Sequence, residues 1–196
     1  PEATASPTAV AATSAGSLTP SAGPFVAEDP LPAPECGALA ATAANAEGPY
    51  YKPDSPERAS LLEDGVTGAR LSLTGYVLTL DCRPLAGARL DFWQADATGE
   101  YDNAGFRLRG HQFSDEAGRY RLETVLPAPY GSRPRHIHVK VQPPGGPILT
   151  TQLYFPDDSQ AASDPIFDPR LIVDLTPEGE GYEAVFHFVL DLVRGS

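Results

Sequence analysis

The chain has 196 residues, of which 41% are hydrophobic, so it is long enough for one domain with a full core and too short for two comfortable ones. Its formal net charge of −12 argues against a nucleic-acid partner, because phosphate contacts need clustered Lys and Arg. No apolar run is long enough to cross a bilayer, so no membrane span is expected in the mature chain.

The first part of the chain, residues 1–47, is dominated by Ala, Ser, Thr and Pro, with one aromatic residue, Phe25, and no Lys or Arg. Such a stretch cannot bury enough apolar surface to offset the entropy of ordering it, so it is predicted to form a tether or arm. From about Pro30 onward, an arm wrapped over the folded domain is the alternative. Because the chain starts at Pro1 and contains no Met, we expect that a preceding segment such as a secretion signal was removed. This favours an extracellular or cell-surface location.

Residues 48–193 form the predicted folded domain. They contain segments of strand length that are separated by Gly, Pro, Asp or Asn, and none of them shows a sustained helical period. This pattern predicts an all-β sandwich or barrel. In chain order the segments are RLSLTGYVLTL, GARLDFWQA, FRLRGHQFSD, GRYRLETVL, RHIHVKVQ, ILTTQLYF, RLIVDL and YEAVFHFVLDL.

Two cysteines are present, Cys36 at the edge of the arm and Cys82 at the end of the first predicted strand. Together with the expected export, they favour a disulfide bond between Cys36 and Cys82. Two unrelated buried thiols are the alternative, because a sequence does not show whether two residues are close in space.

The segment RHIHVKV carries a histidine pair, His136 and His138, at positions that alternate with apolar residues. On a strand, residues two apart point to the same face, so both imidazoles could bind one metal ion. The pair alone is a weak signal, because two surface histidines produce the same pattern. A metal site needs further ligands, and no carboxylate follows the pair. The other histidines, His111 and His187, lie in strand-like patterns where a structural role is the commoner explanation.

Two tyrosines lie in turn-rich segments that could bring them to the histidine pair. Tyr130 is six residues before His136, in a turn rich in Pro and Gly, and Tyr101 lies in ADATGEYDNAG. Phenolate oxygen is a hard anionic donor suited to ferric iron, and a trivalent ion can hold a phenol deprotonated far below its free pKa of about 10. Two Tyr and two His ligands would leave iron a free position for solvent or substrate.

The residues on either side of these candidates resemble the intradiol ring-cleavage dioxygenases, a family that includes catechol 1,2-dioxygenase and protocatechuate 3,4-dioxygenase. The resemblance starts at EGPYY and continues through PLAGARLDFWQADATGEYDN, SDEAGRYRLETVLPAPYGSRPRHIH and LTTQLYF to about DPIFDP. It covers most of the folded region in the family's order, and it is strongest for the compact, single-domain, secreted branch. The fold that it implies is a prealbumin-like β-sandwich with long loops around a metal site.

The resemblance implies a non-haem Fe(III) site with dioxygen as co-substrate. Its ligands would be the phenolates of Tyr101 and Tyr130 and the imidazoles of His136 and His138, with Tyr130 as the axial ligand that leaves when substrate binds. The implied reaction cleaves the ring of a catechol between the two hydroxyl-bearing carbons and yields a muconate-type product.

The resemblance also implies contacts with a small aromatic diol. Arg133 matches the arginine that holds the anionic substrate and the charge that builds during cleavage, Gln152 matches a glutamine behind the site, and Trp93 matches a tryptophan of its wall. In the family the GPYY segment enters the pocket wall, so Pro49 and Tyr50 are candidate substrate contacts, with a purely structural turn as the alternative.

Substrate selectivity is expected to depend on the pocket around Pro49, Asp96, Ala97 and Arg133. The chain departs from the catechol dioxygenases in one respect, because only the arm precedes EGPYY, where that branch has a helical dimerisation region. The alternative function is a non-catalytic prealbumin-like surface or binding module. Such a module accounts for the strands and turns, but it accounts neither for the paired histidines nor for Arg133.

Overall fold

The structure, a computed structural model, describes residues 40–192. This part of the chain forms nine strands and two short 3-10 helices, Ala161–Ser163 and Pro169–Leu171. The strands are β1 (Arg70–Thr79), β2 (Arg89–Gln94), β3 (Arg109–Phe113), β4 (Arg119–Val125), β5 (His136–Gln142), β6 (Leu149–Tyr154), β7 (Asp174–Glu178), β8 (Gly181–Val185) and β9 (Phe188–Leu190).

The strands form two sheets. The first has the spatial order β4, β1, β8, β7, and β9 pairs with the C-terminal part of β1. The second has the order β3, β2, β5, β6, and all of its neighbouring strands are antiparallel. The two sheets pack face to face, so the predicted all-β sandwich is confirmed.

The hydrophobic core lies between the two sheets. Its second-sheet side chains come from alternate strand positions, because successive residues of a strand point to opposite faces. Full burial of each large apolar side chain stabilises the fold by about 1.5–3 kcal/mol relative to an exposed one. The intervening positions of β2 and β5 therefore face away from the core, toward the loops. Core residues of the second sheet include Leu90, Phe92, Ile137, Val139, Val141 and Leu153, and those of the first include Leu71, Leu73, Val77 and Leu122.

The first six predicted segments contain β1 to β6, but the last two differ from the prediction. RLIVDL, predicted as a strand, begins in the second 3-10 helix and reaches β7 only at Asp174. Pro169 suits the first turn of a helix, and the Asp168 side chain accepts a hydrogen bond from the Arg170 backbone N–H at 3.0 Å, so a helical turn replaces the start of the strand. YEAVFHFVLDL divides into β8 and β9, which pair with different halves of β1.

Residues 40–47, the described part of the predicted arm, lie against the domain. The backbone N–H of Asn45 donates to the carbonyl of Thr150 at 2.9 Å, beside the edge strand β6. The backbone N–H of Thr42 donates to the carbonyl of Val189 at 2.9 Å. These contacts agree with an arm that wraps over the domain in this stretch.

The predicted disulfide bond lies partly outside the described residues, because Cys36 belongs to residues 1–39. Cys82 closes the turn after β1, where its backbone N–H donates to the carbonyl of Thr79 at 2.9 Å. The Cys36–Cys82 bridge therefore stays a prediction. No helix among residues 40–192 has the length and apolar character needed to span a membrane.

Candidate active site

The candidate site lies on the outer face of the second sheet, on the side away from the core. His136 and His138 occupy alternate positions of β5, so both imidazoles project from this face, as the sequence predicts. In the strand register, His138 pairs with Trp93 of β2 and with Gln152 of β6. Loops cover this face, which lets buried polar side chains meet there without disturbing the apolar core.

The four predicted ligands come together on this face. The hydroxyl oxygen of Tyr101 lies 3.1 Å from Nε2 of His136, and the two imidazole rings have centroids 4.7 Å apart. The ring centroid of Tyr101 is 5.4 Å from that of Tyr130 and 6.1 Å from that of His138. Two loops separated along the chain thus bring Tyr101 into contact with His136, and Tyr130 against Tyr101.

The loop between β2 and β3 presents Tyr101, and its shape follows from local hydrogen bonds. The Asp96 carboxylate accepts hydrogen bonds from the backbone N–H groups of Thr98 and Glu100, so it holds the tight turn that precedes Tyr101. Gly99 has a φ of +89°, a conformation that glycine adopts without strain. Asp96 therefore shapes the loop that carries Tyr101, and its predicted influence on selectivity stays a prediction.

The two histidines are buried in the neutral form that metal ligation needs. Burial lowers the pKa of His136 to about 4. Burial, followed by the nearby His136 and Arg133, holds the pKa of His138 well below its usual range. Nδ1 of His136 lies 2.7 Å from the carbonyl oxygen of Pro134, so this nitrogen carries the proton and the lone pair of Nε2 faces the hydroxyl of Tyr101.

Tyr101 is nearly as buried, with 9% of its surface exposed. Burial raises the pKa of its phenol well above the usual range, although Arg133 and Arg109 oppose the shift. A phenol in such surroundings stays protonated unless a strongly charged cation stabilises the phenolate. The environment thus suits a ligand that ionises only on a highly charged metal.

The donor set fits ferric iron. Among residues 40–192 no group of three or more His, Cys, Asp or Glu side chains is arranged to hold a metal, so a site here depends on the tyrosines. Two imidazole nitrogens and two hard phenolate oxygens are the mixture that ferric iron accepts. The backbone at Gly48 lies close to His138, since a Cβ atom on Gly48 would be 3.2 Å from Cε1 of His138 and 3.7 Å from its Nε2. The residues of this structure would accommodate the iron that the sequence predicts.

Aromatic residues line the site. Tyr50 stacks on Tyr101 with ring centroids 4.5 Å apart, and its hydroxyl is hydrogen-bonded to the hydroxyl of Tyr130. Trp93 stacks on His138 with centroids 4.8 Å apart and an interplanar angle of 5°. Pro49, also predicted as a substrate contact, is exposed at the turn that leads into Tyr50.

Arg133 and Gln152, predicted from the resemblance, lie next to the histidines. Nη1 of Arg133 is 3.4 Å from Nε2 of His136, and Nη2 donates to Oε1 of Gln152 at 2.8 Å. The amide nitrogen of Gln152 donates to the carbonyl of Ala46 at 2.6 Å, which fixes the direction of the amide. Gln152 therefore orients Arg133 and connects it to the described part of the arm.

Three residues of the site were missed in the sequence. Arg109 is 1% exposed, and its guanidinium donates to the carbonyls of Tyr50 at 2.5 Å and Asp102 at 3.1 Å, so it joins the two segments that carry Tyr50 and Tyr101. Its register opposite Trp93 places it on the same face, which the alternation of β3 could have indicated. Tyr154 and Asp164 are the other two, and both contact Arg133.

The other two histidines lie apart from this cluster. Nδ1 of His111 is 2.7 Å from the carbonyl oxygen of Ser55, and Nδ1 of His187 accepts a hydrogen bond from the backbone N–H of Tyr76 at 3.2 Å. Both histidines thus have structural partners, as expected for residues in strand-like segments.

Ala97, predicted to influence selectivity, lies at a separate cavity. This cavity has a volume of about 360 Å³ and is lined by residues of the 126–129 and 157–159 loops together with Arg135. The four predicted ligands are not among its lining residues. The predicted influence of Ala97 on substrate selectivity stays a prediction.

A family model described as Dioxygenase matches residues 46–193, which include both sheets and every predicted ligand. The chain thus belongs to the intradiol ring-cleavage dioxygenase family. The dioxygenase domain of a dioxygenase carbohydrate-binding protein fusion from the cellulolytic bacterium Streptomyces sp. SirexAA-E is 50% identical, with a TM-score of 0.76 over 78% of this chain and 99% of that one. The 3-chlorocatechol 1,2-dioxygenase of Rhodococcus opacus 1CP is 32% identical, with a TM-score of 0.72 over 77% of this chain and 73% of that one.

Relatives found by sequence carry similar names. A chlorocatechol 1,2-dioxygenase of Pseudomonas sp. (strain P51) is 30% identical over 175 residues, which are 76% of this chain and 70% of that protein. A hydroxyquinol 1,2-dioxygenase of Rhizobium sp. (strain MTP-10005) is 34% identical over 147 residues, which are 61% of this chain and 50% of that protein. The chain spans about half the length of this enzyme and of two catechol 1,2-dioxygenases that it also matches.

Proposed function

We propose that the protein is a non-haem Fe(III)-dependent dioxygenase that cleaves the ring of a catechol between its two hydroxyl-bearing carbons and yields a muconate-type product. The observation that carries the proposal is the meeting of Tyr101, Tyr130, His136 and His138 on one buried face, with Tyr101 and His136 in direct contact at 3.1 Å. Membership of the intradiol family supports it.

Ferric iron, when bound by these four side chains, would bind the diol and make its ring reactive toward dioxygen. The chain itself supplies the protonation states. Nε2 of His136 offers a lone pair because Nδ1 is held by Pro134. The oxygen of Tyr130, as phenolate, is the proposed acceptor of a proton from the diol, and its hydrogen bond with the Tyr50 hydroxyl holds it in place.

The surrounding residues suit a flat aromatic substrate. The rings of Tyr50 and Trp93 lie against Tyr101 and His138, so they limit the space for bulk water and favour a planar ligand. Nη1 of Arg133 lies next to Nε2 of His136 and would attract the negative charge of an ionised diol. The names of the relatives support catechol, chlorocatechol or hydroxyquinol as the substrate class. We also propose that the protein acts outside the cell, because the composition of residues 1–47 is typical of a tether.

The test combines metal analysis with product analysis. Protein purified with ferric iron should contain about one iron per chain, and its phenolate ligands should colour it red to burgundy by charge transfer. Oxygen uptake should follow addition of catechol, protocatechuate or hydroxyquinol, and both atoms of labelled dioxygen should appear in a muconate. A His136→Ala, His138→Ala variant is the matched control and should lose iron, colour and uptake together.

Two results would overturn the proposal. Colourless protein with zinc in the site would exclude the phenolate ligands. A yellow semialdehyde would show cleavage beside the diol, the chemistry of ferrous sites with two histidines and one carboxylate.

A further inference from the structure

Arg133 is held by three acceptors that leave one of its nitrogens for the site. The two N–H groups of Nη2 are shared among three acceptors, Oε1 of Gln152 at 2.8 Å, the hydroxyl of Tyr154 at 3.1 Å and Oδ2 of Asp164 at 2.8 Å. Nε donates to the same oxygen of Asp164 at 3.1 Å. Nη1 is left over, and its neighbour is Nε2 of His136 at 3.4 Å. The direction of Nη1 is therefore set by the groups that occupy the other two nitrogens.

Asp164 is the charged member of this set. Its side chain is 2% exposed, and that of Arg133 is 23% exposed, so the ion pair is largely shielded from solvent. A guanidinium is a rigid planar fork, and fixing two of its three nitrogens fixes the third. Gln152 and Tyr154 contact only Nη2, whereas Asp164 contacts both Nε and Nη2, so among these three partners Asp164 alone holds two nitrogens of the fork.

The local backbone explains why the carboxylate stands there. Asp164 ends the first 3-10 helix in an extended conformation, with φ −83° and ψ 115°, and it precedes Pro165, which favours that conformation. Its other oxygen, Oδ1, accepts a hydrogen bond from the backbone N–H of Ile166 at 3.2 Å. The carbonyl of Ile166 in turn accepts from the hydroxyl of Tyr154 at 3.2 Å. The loop and the carboxylate are thus fixed against the sheet by groups that also surround Arg133.

We propose that Asp164 is a positioning residue that acts through Arg133: it directs Nη1 toward the bound diol. The inference rests on the proposed function, since it assigns to Asp164 the orientation of the group that attracts the anionic substrate. The hydrogen bonds of the Asp164 carboxylate go to Arg133 and to the backbone of Ile166, and none goes to the four ligands. Its effect on catalysis therefore passes through the guanidinium.

A matched control lies a few residues away in the same loop. Asp158 pairs with Arg135 through a hydrogen bond of 3.1 Å, and the two side chains are 4% and 29% exposed, close to the values for Asp164 and Arg133. Both carboxylates are buried in the same loop, so replacing either one removes a buried negative charge and its ion pair. Asp158→Asn thus reproduces the loss of a buried ion pair and of charge, but not the loss of a constraint on Arg133.

The experiment compares Asp164→Asn and Asp158→Asn in the iron-loaded full chain. Because misorientation of a group by about 1 Å can cost on the order of 100-fold in rate, we expect kcat/KM for catechol to fall about 10- to 100-fold in Asp164→Asn. Asp158→Asn should stay within about threefold of the unmodified protein, because the hydrogen bonds of its carboxylate go to Arg135 and Gln160 and none goes to Arg133. The visible absorption should be the same in all three proteins, because the four ligands are unchanged. An anaerobic catechol titration gives the dissociation constant without turnover and should show weaker binding only in Asp164→Asn.

A double-variant cycle tests whether Asp164 acts through Arg133. In an Arg133→Gln background, Asp164→Asn should change kcat/KM by no more than about threefold, because the group through which it acts is gone. Full additivity of the two substitutions would overturn the proposal. So would equal kcat/KM values in Asp164→Asn and Asp158→Asn.

Three further outcomes can be distinguished. If Asp164→Asn lowers the melting temperature more than Asp158→Asn but leaves kcat, KM and the dissociation constant unchanged below that temperature, the residue is structural and the proposal is wrong. If Asp164→Asn does not fold, Asp164→Glu keeps the charge on a longer side chain and should give an intermediate kcat/KM. If the unmodified protein consumes no oxygen with any of the three diols, the proposed function fails, and the titration and the double-variant cycle on binding then decide the role of Asp164.

Discussion

Replacing Gly99 with alanine should separate the two loops that carry the tyrosines. Gly99 has a φ of +89°, and a Cβ atom on it would lie 2.5 Å from the carbonyl oxygen of Pro129, the residue before Tyr130. Real Cβ atoms essentially never come this close to an oxygen, and the obstacle is backbone, which cannot rotate away. The substitution therefore has to push the loop of Tyr101 away from the loop of Tyr130.

The cost has two parts that a control can separate. An alanine in the left-handed region costs about 1–2 kcal/mol, and overpacking a close contact adds about 1–3 kcal/mol. Gly131 has a φ of +59°, and a Cβ atom on it would meet nothing within 4 Å, so Gly131→Ala carries only the first part. For a domain of this size, about 1–3 kcal/mol corresponds to a melting temperature about 2–12 °C lower in Gly99→Ala than in Gly131→Ala.

The assay is thermal unfolding followed by circular dichroism, together with the visible spectrum of the iron-loaded protein. Gly99→Ala should alter the charge-transfer absorption, because the substitution changes how the two phenols approach the metal, whereas Gly131→Ala should not. Equal losses of stability and identical spectra in the two variants would refute the packing argument, because they would show that only the backbone conformation matters.

Two other changes test the site and its boundary. Tyr101→Phe should weaken the visible absorption and severely reduce turnover, since it removes a proposed anionic ligand. Tyr130→Phe should retain iron but slow the reaction, because the proposed proton acceptor is lost. Equal iron loss in both variants would contradict these separate roles. A chain that starts at Leu31 should keep full turnover. A chain that starts at Gly48 should have a lower melting temperature and a lower kcat, because it lacks the Ala46 carbonyl that orients Gln152. Unchanged kinetics in this shorter chain would show that the contact is unimportant.

The sequence determined the parts of this protein that depend on neighbours along the chain. The alternation of apolar and polar residues around His136 and His138 predicts a strand with both imidazoles on one face, and β5 has that arrangement. The turn residues around Tyr101 and Tyr130 predict loops, and both tyrosines lie outside the strands. Such features follow from periodicity and turn chemistry, and both depend only on residues within a few positions of each other. The resemblance to a family then named the four candidate ligands together, which periodicity alone did not do.

The tertiary structure decided the contacts between residues that are far apart in the chain. The hydrogen bond between Tyr101 and His136 joins residues 35 positions apart, and the ion pair of Arg133 with Asp164 spans 31 positions. Arg109 looked like an ordinary strand residue, yet folding buries its guanidinium between two backbone carbonyls. Even the start of RLIVDL, a strand by its composition, became a helical turn because a proline and a capping carboxylate precede it. Local pattern sets which face a side chain takes, but which side chains meet on that face depends on how the loops pack over the sheet, and that information is spread over the whole chain.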